Sequence, residues 1–135
     1  GIRRTQSAAE GLARIADRPD AILTSPKVRA RQTAAIFAEI FDRKPENVHE
    51  LATDSPEKIL GLLHRRSESR IMIVGHEPTL SELVEMICTR NTAHDFIEMK
   101  KASCVLLEAP IEQTERPGFG RLIWVIPPRV LRKLA

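Results

Sequence analysis

Residues 71–74, Ile-Met-Ile-Val, are apolar at every position. A strand with no polar face is covered on both sides, the usual condition inside a parallel sheet. Parallel neighbours cannot be joined by a tight hairpin and need a crossover, most often a helix. The sequence supplies that pattern twice. Ala21 to Leu23 is a second short apolar run, followed by Thr24-Ser25-Pro26 and a helix-period segment from about Val28 to Phe41. After Gly75 to Pro78, residues Leu80, Leu83, Val84, Ile87 and Cys88 recur at the spacing of one helix face, with Thr79 and Glu82 in capping-box register. Strands alternating with helices predict an α/β fold, a mostly parallel central sheet with helices on both faces.

The remaining elements follow from the same signals. Ala8, Ala9, Leu12, Ile15 and Ala16 form an early helix ended by Asp17-Arg18-Pro19, and Val48 to Leu51 is read as a further short strand. Ser55-Pro56-Glu57 predicts a helix with Ser55 as N-cap and Pro56 at its first position, running through Ile59, Leu60, Leu62 and Leu63 to about Arg65 and Arg66. Beyond Asn91 the pattern turns to strands at Ala102 to Leu107 and Arg121 to Ile126, placed to pair, with a polar loop between them. Pro127 to Leu134 is expected to close the chain as a short helix. Gly1 and Ile2 run straight into Arg3 and Arg4 with no capping residue. This start predicts a segment upstream, and with it an N-terminally incomplete domain, its first strand missing, of low stability when isolated.

A length of 135 residues fits one domain, residues 1–135, that needs no disulfide or metal to fold. No apolar run reaches the roughly 18 residues of a membrane span, and no signal peptide is apparent. Cys88 and Cys104 stand alone in apolar stretches, which predicts buried thiols and a reducing, cytoplasmic setting. The net charge of +3 is scattered and Trp124 is the sole Trp or Tyr, so a nucleic-acid partner is not expected.

Two residues attract attention because each follows one of the apolar runs. Arg29, in Ser25-Pro26-Lys27-Val28-Arg29-Ala30-Arg31-Gln32-Thr33-Ala34, heads a stripe through Thr33, Ile36 or Phe37, and Ile40. That stripe is expected to face the sheet, whereas Arg31 lies roughly 200° away on the solvent side. An arginine here projects over the carboxyl end of the sheet, where open α/β folds bind ligands. Its planar fork suits a phosphate, or else a structural carboxylate. His76, in Gly75-His76-Glu77-Pro78, follows the other strand and precedes a helix N-terminus that offers its positive end to an anion. A histidine at such a turn serves either a ligand or the local structure.

Taken together, strand-Ser-Pro-x-x-Arg-Ala-x-Gln-Thr-Ala and strand-Gly-His-x-Pro-helix resemble the histidine phosphatase superfamily, the phosphoglycerate-mutase-like fold. The opening Gly1-Ile2-Arg3-Arg4-Thr5-Gln6 looks like that family's segment after a Leu-Thr-x-x-Gly turn. Short length, Gly-His-Glu-Pro, Met99-Lys100-Lys101-Ala102 and the ending Leu122-Ile123-Trp124-Val125-Ile126-Pro127-Pro128 look most like the SixA branch, the phosphohistidine phosphatases. The resemblance covers essentially the whole chain. It implies a hydrolase that removes a phosphoryl group from phosphohistidine in proteins through a phosphohistidine enzyme intermediate, without metal or other cofactor. It also implies that Arg29 and His76 are catalytic, phosphate-binding residues. The family's nucleophile stands in an Arg-His-Gly motif, which this sequence lacks.

None of the other residues supplies a nucleophile. His49, His64 and His94 lack the family context, neither cysteine is set in a cysteine-phosphatase loop, and no Walker motif or metal-ligand pattern occurs. Glu50 and Glu77 are both open as general acid. Lys100 and Lys101 either line the pocket mouth, attracting an acidic phosphoprotein, or form a solvated pair. Two alternatives to a protein phosphohistidine substrate stay open: a small phosphate ester, and a non-catalytic phosphate-binding module.

Overall fold

The two apolar runs lie side by side. In the computed structural model, which describes residues 1–89, 97, 99, 103–109 and 120–135, strand β1 (Ala21–Thr24) pairs in parallel with β3 (Ile71–Val74). The register sets Ala21 against Ile71 and Thr24 against Val74, so both strands end at the same level. Strand β2 (Pro45–Asn47) lies on the other side of β1, also parallel, giving the order β2-β1-β3. A proline in this strand is tolerated because β2 is an edge.

Alternation along the strands divides the core into two layers, as the continuous apolar runs require. Ile22, Met72 and Val74 join Ala8, Ala9 and Leu12 of α1 (Ile2–Ile15), Ala34, Phe37, Ala38 and Phe41 of α2 (Val28–Phe41), and Leu131 of α5 (Pro128–Leu134). Ala21, Leu23, Ile71 and Ile73 face the opposite way, onto Ile59, Leu60 and Leu62 of α3 (Pro56–Arg65) and Leu83, Met86 and Ile87 of α4 (Thr79–Cys88). Helices thus cover both faces.

The expected pair of late strands forms as β4 (Cys104–Glu108) and β5 (Arg121–Ile126), antiparallel to each other. They make a separate two-stranded sheet, with no ladder to the parallel sheet among the described residues. Their side chains nevertheless enter both layers, Cys104, Trp124 and Ile126 on one face and Leu107 on the other. Among the described residues the strands therefore form a parallel part and an antiparallel part. Ala102, His94, Lys100 and Lys101 lie outside the described residues.

Three local expectations are corrected. The strand placed at Val48 to Leu51 falls earlier, at Pro45–Asn47, and His49–Ala52 is a 3-10 turn. Val48 still donates its backbone N–H to Thr24 O at 2.9 Å, after which the chain turns and buries Leu51. Val48 and Leu51 are three apart, the spacing that a 3-10 turn brings onto one face. The buried stripe of α2 is Ala30, Ala34, Phe37, Ala38 and Phe41, not one headed by Arg29. Ala34, Phe37, Ala38 and Phe41 pack with Ala8, Ala9 and Leu12 of α1, and Arg29 and Ile40 are left toward solvent. Lastly, Thr79 is the first residue of α4 and not its cap.

The Ser55 cap is present as expected. Its side chain accepts from Lys58 N at 3.2 Å, and Pro56 occupies the first turn. Ser55→Ala is expected to lower stability by about 1 kcal/mol, read as a shift in the urea midpoint at unchanged slope.

Candidate active site

Because β1 and β3 are adjacent and in register, the loops that leave their carboxyl ends must meet. Ser25 follows β1 directly. Its backbone N–H donates to Val74 O at 2.9 Å, and its carbonyl accepts from the Thr24 hydroxyl at 3.0 Å. Both residues are fully buried. The Ser25 hydroxyl accepts from Lys27 N at 3.2 Å, which turns the chain into α2. The same oxygen lies 2.9 Å from Nε2 of His76, two residues beyond β3. One side-chain hydrogen bond thus joins the two sequence motifs across 51 positions of chain.

His76 is half-buried, and its pKa is held below the usual histidine range, first by burial and then by the positive charge of Lys27. Asp54, in the turn before α3, acts in the opposite direction. Burial and Lys27 both favour the neutral imidazole. Since a lowered folded-state pKa means that the unfolded chain binds the proton more readily, His76 favours the fold above about pH 6.5. That contribution is lost as the pH falls through its folded pKa.

Arg29 occupies the first turn of α2, exposed, with no hydrogen bond or ion pair among the described residues. Of the two partners open to it from the sequence, a structural carboxylate is therefore absent among the described residues. Lys27, the N-cap of α2, makes no side-chain capping bond, so the positive end of the helix is left to the same surface as Arg29. The structure brings Ser25 and His76 into contact. Arg29 stands in the first turn of the helix that follows the neighbouring strand, and no hydrogen bond to His76 is formed among the described residues.

The helix after His76 does not present an open anion site. Glu77 accepts from Ser81 N at 2.9 Å and from the Ser81 hydroxyl, so its carboxylate already occupies the N-terminus of α4. This corrects the expectation of a capping box from Thr79, and it engages one of the two carboxylates open as general acid. The other, Glu50, pairs with Arg65 at 2.6 Å and with His49 at 3.3 Å. His64 lies near the end of α3 and His49 is exposed. Cys88 and Cys104 are free and half-buried, and burial pushes the Cys104 thiol up to about 11, which suppresses its nucleophilic thiolate. Among the described residues no three His, Cys, Asp or Glu side chains are grouped to hold a metal, and no helix is long and apolar enough to cross a membrane.

The same arrangement of elements recurs in solved structures. The protein histidine phosphatase SixA in complex with tungstate superposes with a TM-score of 0.80 at 18% identity, covering 97% of this chain and 83% of that one. The chain has the SixA-type histidine phosphatase fold. SixA of Agrobacterium tumefaciens matches it at a TM-score of 0.75 and 24% identity over 95% of this chain and 80% of its own. SixA of Nakamurella multipartitia gives 0.77 and 17% over 92% and 79%. In sequence, the chain is 31% identical over 97% of its length to an uncharacterized protein of Picosynechococcus sp. (strain ATCC 27264 / PCC 7002 / PR-6), covering 82% of that protein. It belongs to one family with that protein. No family model matches the chain.

Within the SixA-type fold, Ser25, Lys27 and Asp54 are the site neighbours that sequence reasoning missed. Ser25 carries a legible signal, a small hydroxyl residue directly after a buried strand and before proline. Asp54 carries none, because only the packing of α3 against the sheet brings its loop toward His76.

Proposed function

We propose that this protein is a phosphatase acting on phosphohistidine in proteins, with Arg29 and His76 as the cationic and imidazole donors of its phosphoryl pocket. The Ser25–His76 hydrogen bond carries the reading, because it joins the two motif loops at the carboxyl ends of neighbouring parallel strands. That is where open α/β sheets bind ligands. The exposed guanidinium of Arg29 and the uncapped N-terminus of α2 favour an anion there.

Phosphoryl transfer spreads negative charge over equatorial oxygens, and fixed donors aimed at them stabilise the transition state. Arg29 supplies a permanent charge. His76 supplies a ring N–H. The nucleophile in this reading is a histidine of an Arg-His-Gly segment outside the 135 residues, and the phosphoryl group passes to it and then to water. Both candidate acids are held by structural partners. A phosphoramidate makes the smaller demand on such a group, since imidazole leaves readily once protonated.

The test is phosphate release from a phosphohistidine-bearing protein and from a glycerate or sugar phosphate. It is run with this chain and with the chain extended by whatever its gene encodes upstream. The expected result is turnover of the phosphohistidine protein by the extended form, and phosphate binding without turnover by residues 1–135. Preference for the small ester would transfer the reading to a phosphomonoesterase. Binding without turnover by every form would make it a phosphate-binding module.

A further inference from the structure

A buried hydroxyl has one proton to place, and among the described residues one site around Ser25 takes it. Ser25 is fully buried, and its Oγ already accepts the Lys27 backbone N–H at 3.2 Å. The backbone that carries it is held in place, since the Ser25 N–H donates to Val74 O and the Ser25 carbonyl accepts from the Thr24 hydroxyl. Among the described residues, the acceptor within reach of its proton is Nε2 of His76, at 2.9 Å. Were Nε2 protonated and donating instead, the serine proton would be buried without an acceptor among the described residues, which is costlier than the hydrogen bond it forgoes.

We propose that Ser25 is a positioning residue that donates to Nε2 of His76, fixing the neutral ring in its Nδ1–H tautomer and directing Nδ1–H to the bound phosphoryl oxygen. The tautomer follows from the hydrogen bonds alone. The ligand given to Nδ1 rests on the phosphatase reading above. The charged groups around the ring act consistently with this: Lys27 disfavours the imidazolium, Asp54 favours it, and burial outweighs both. Arg29 adds positive charge in the first turn of α2, while Glu77, next to His76 in the chain, is committed to Ser81. A neutral donor therefore meets the substrate beside a permanent cation.

Histidine-labelled protein reads the tautomer by nitrogen NMR. At neutral pH, His76 is expected to show a protonated-type shift at Nδ1 and an unprotonated-type shift at Nε2. In Ser25→Ala the ring is expected to revert toward the Nε2–H form that an unconstrained histidine favours, and in Ser25→Thr, which keeps a hydroxyl, to return to Nδ1–H. Affinity for inorganic phosphate is expected to fall about tenfold in Ser25→Ala and to recover in Ser25→Thr. An Nε2–H ring in the unsubstituted protein overturns the proposal, and does so even if Ser25→Ala fails to fold. An unchanged tautomer in a folded Ser25→Ala overturns it as well. An Nδ1–H ring that ignores phosphate would instead overturn the phosphoryl reading, and with it the ligand assigned to Nδ1.

Discussion

Replacing Arg29 with alanine is expected to weaken binding of inorganic phosphate by about 10- to 100-fold, the loss typical of a charge-assisted hydrogen-bonding pair. The melting temperature is expected to stay within the small range of surface substitutions. The two halves of this result belong together. Arg29 is exposed, off the buried stripe of α2 and without a partner among the described residues, so folding does not call on it. A residue that matters for the anion but not for the fold should separate affinity from stability cleanly. Arg29→Lys is expected to recover only part of the affinity, because an ammonium keeps the charge and loses the planar fork. Calorimetric titration together with thermal melting reads both quantities.

The largest expected effect on stability comes from a residue far from the site. Gly11 lies buried in α1, and a Cβ built there would stand 1.8 Å from the backbone O of Leu131 and 2.8 Å from its C. The obstacle is backbone, so α5 must move as a unit. Leu131 is fully buried among Ala8, Ala9 and Leu12, and any retreat of α5 withdraws it from that cluster. Gly11→Ala is expected to cost several kcal/mol and lower the melting temperature by on the order of 10 °C. Gly61, inside α3, gives the opposite sign. Its nearest added contact is 3.6 Å, to the flexible end of Arg65, so Gly61→Ala is expected to stabilise by roughly 0.5–1 kcal/mol.

That contrast also marks what a sequence shows and what it withholds. Both glycines interrupt helical patterns in the same way, and only the α1–α5 contact distinguishes them. Periodicity found α2 at its observed bounds and Ser55 as a cap, because those signals are local. It also found β3, since four unbroken apolar residues have few other uses. The α2 stripe was misplaced by one position because alanine at 30, 34 and 38 is weakly hydrophobic, while Ile36 and Ile40 are strongly so. The alanine face is the one that packs with Ala8, Ala9 and Leu12 of α1. The α4 cap was misassigned for a similar reason. Thr79 and Glu82 have capping-box spacing, but the preceding Glu77 reaches Ser81 first.

For the site, the sequence indicated two loops, and register made them neighbours. Nothing in the order of residues says that Thr24 and Val74 end at one level, and this is what lets Ser25 meet His76. The pairing of β4 with β5 was legible from their two apolar runs, whereas the order β2-β1-β3 was not, because pairing between strands distant in sequence leaves no local signature.

The central claim is that the loops after β1 and β3 form one oxyanion pocket. The most direct measurement is a crystal of the protein soaked in tungstate, a phosphate-like oxyanion, with the tungsten located by its anomalous scattering. The expected result is a peak within hydrogen-bonding reach of the Arg29 guanidinium and of Nδ1 of His76. Tungsten bound elsewhere on the surface, with this pocket empty at saturating tungstate, would contradict it.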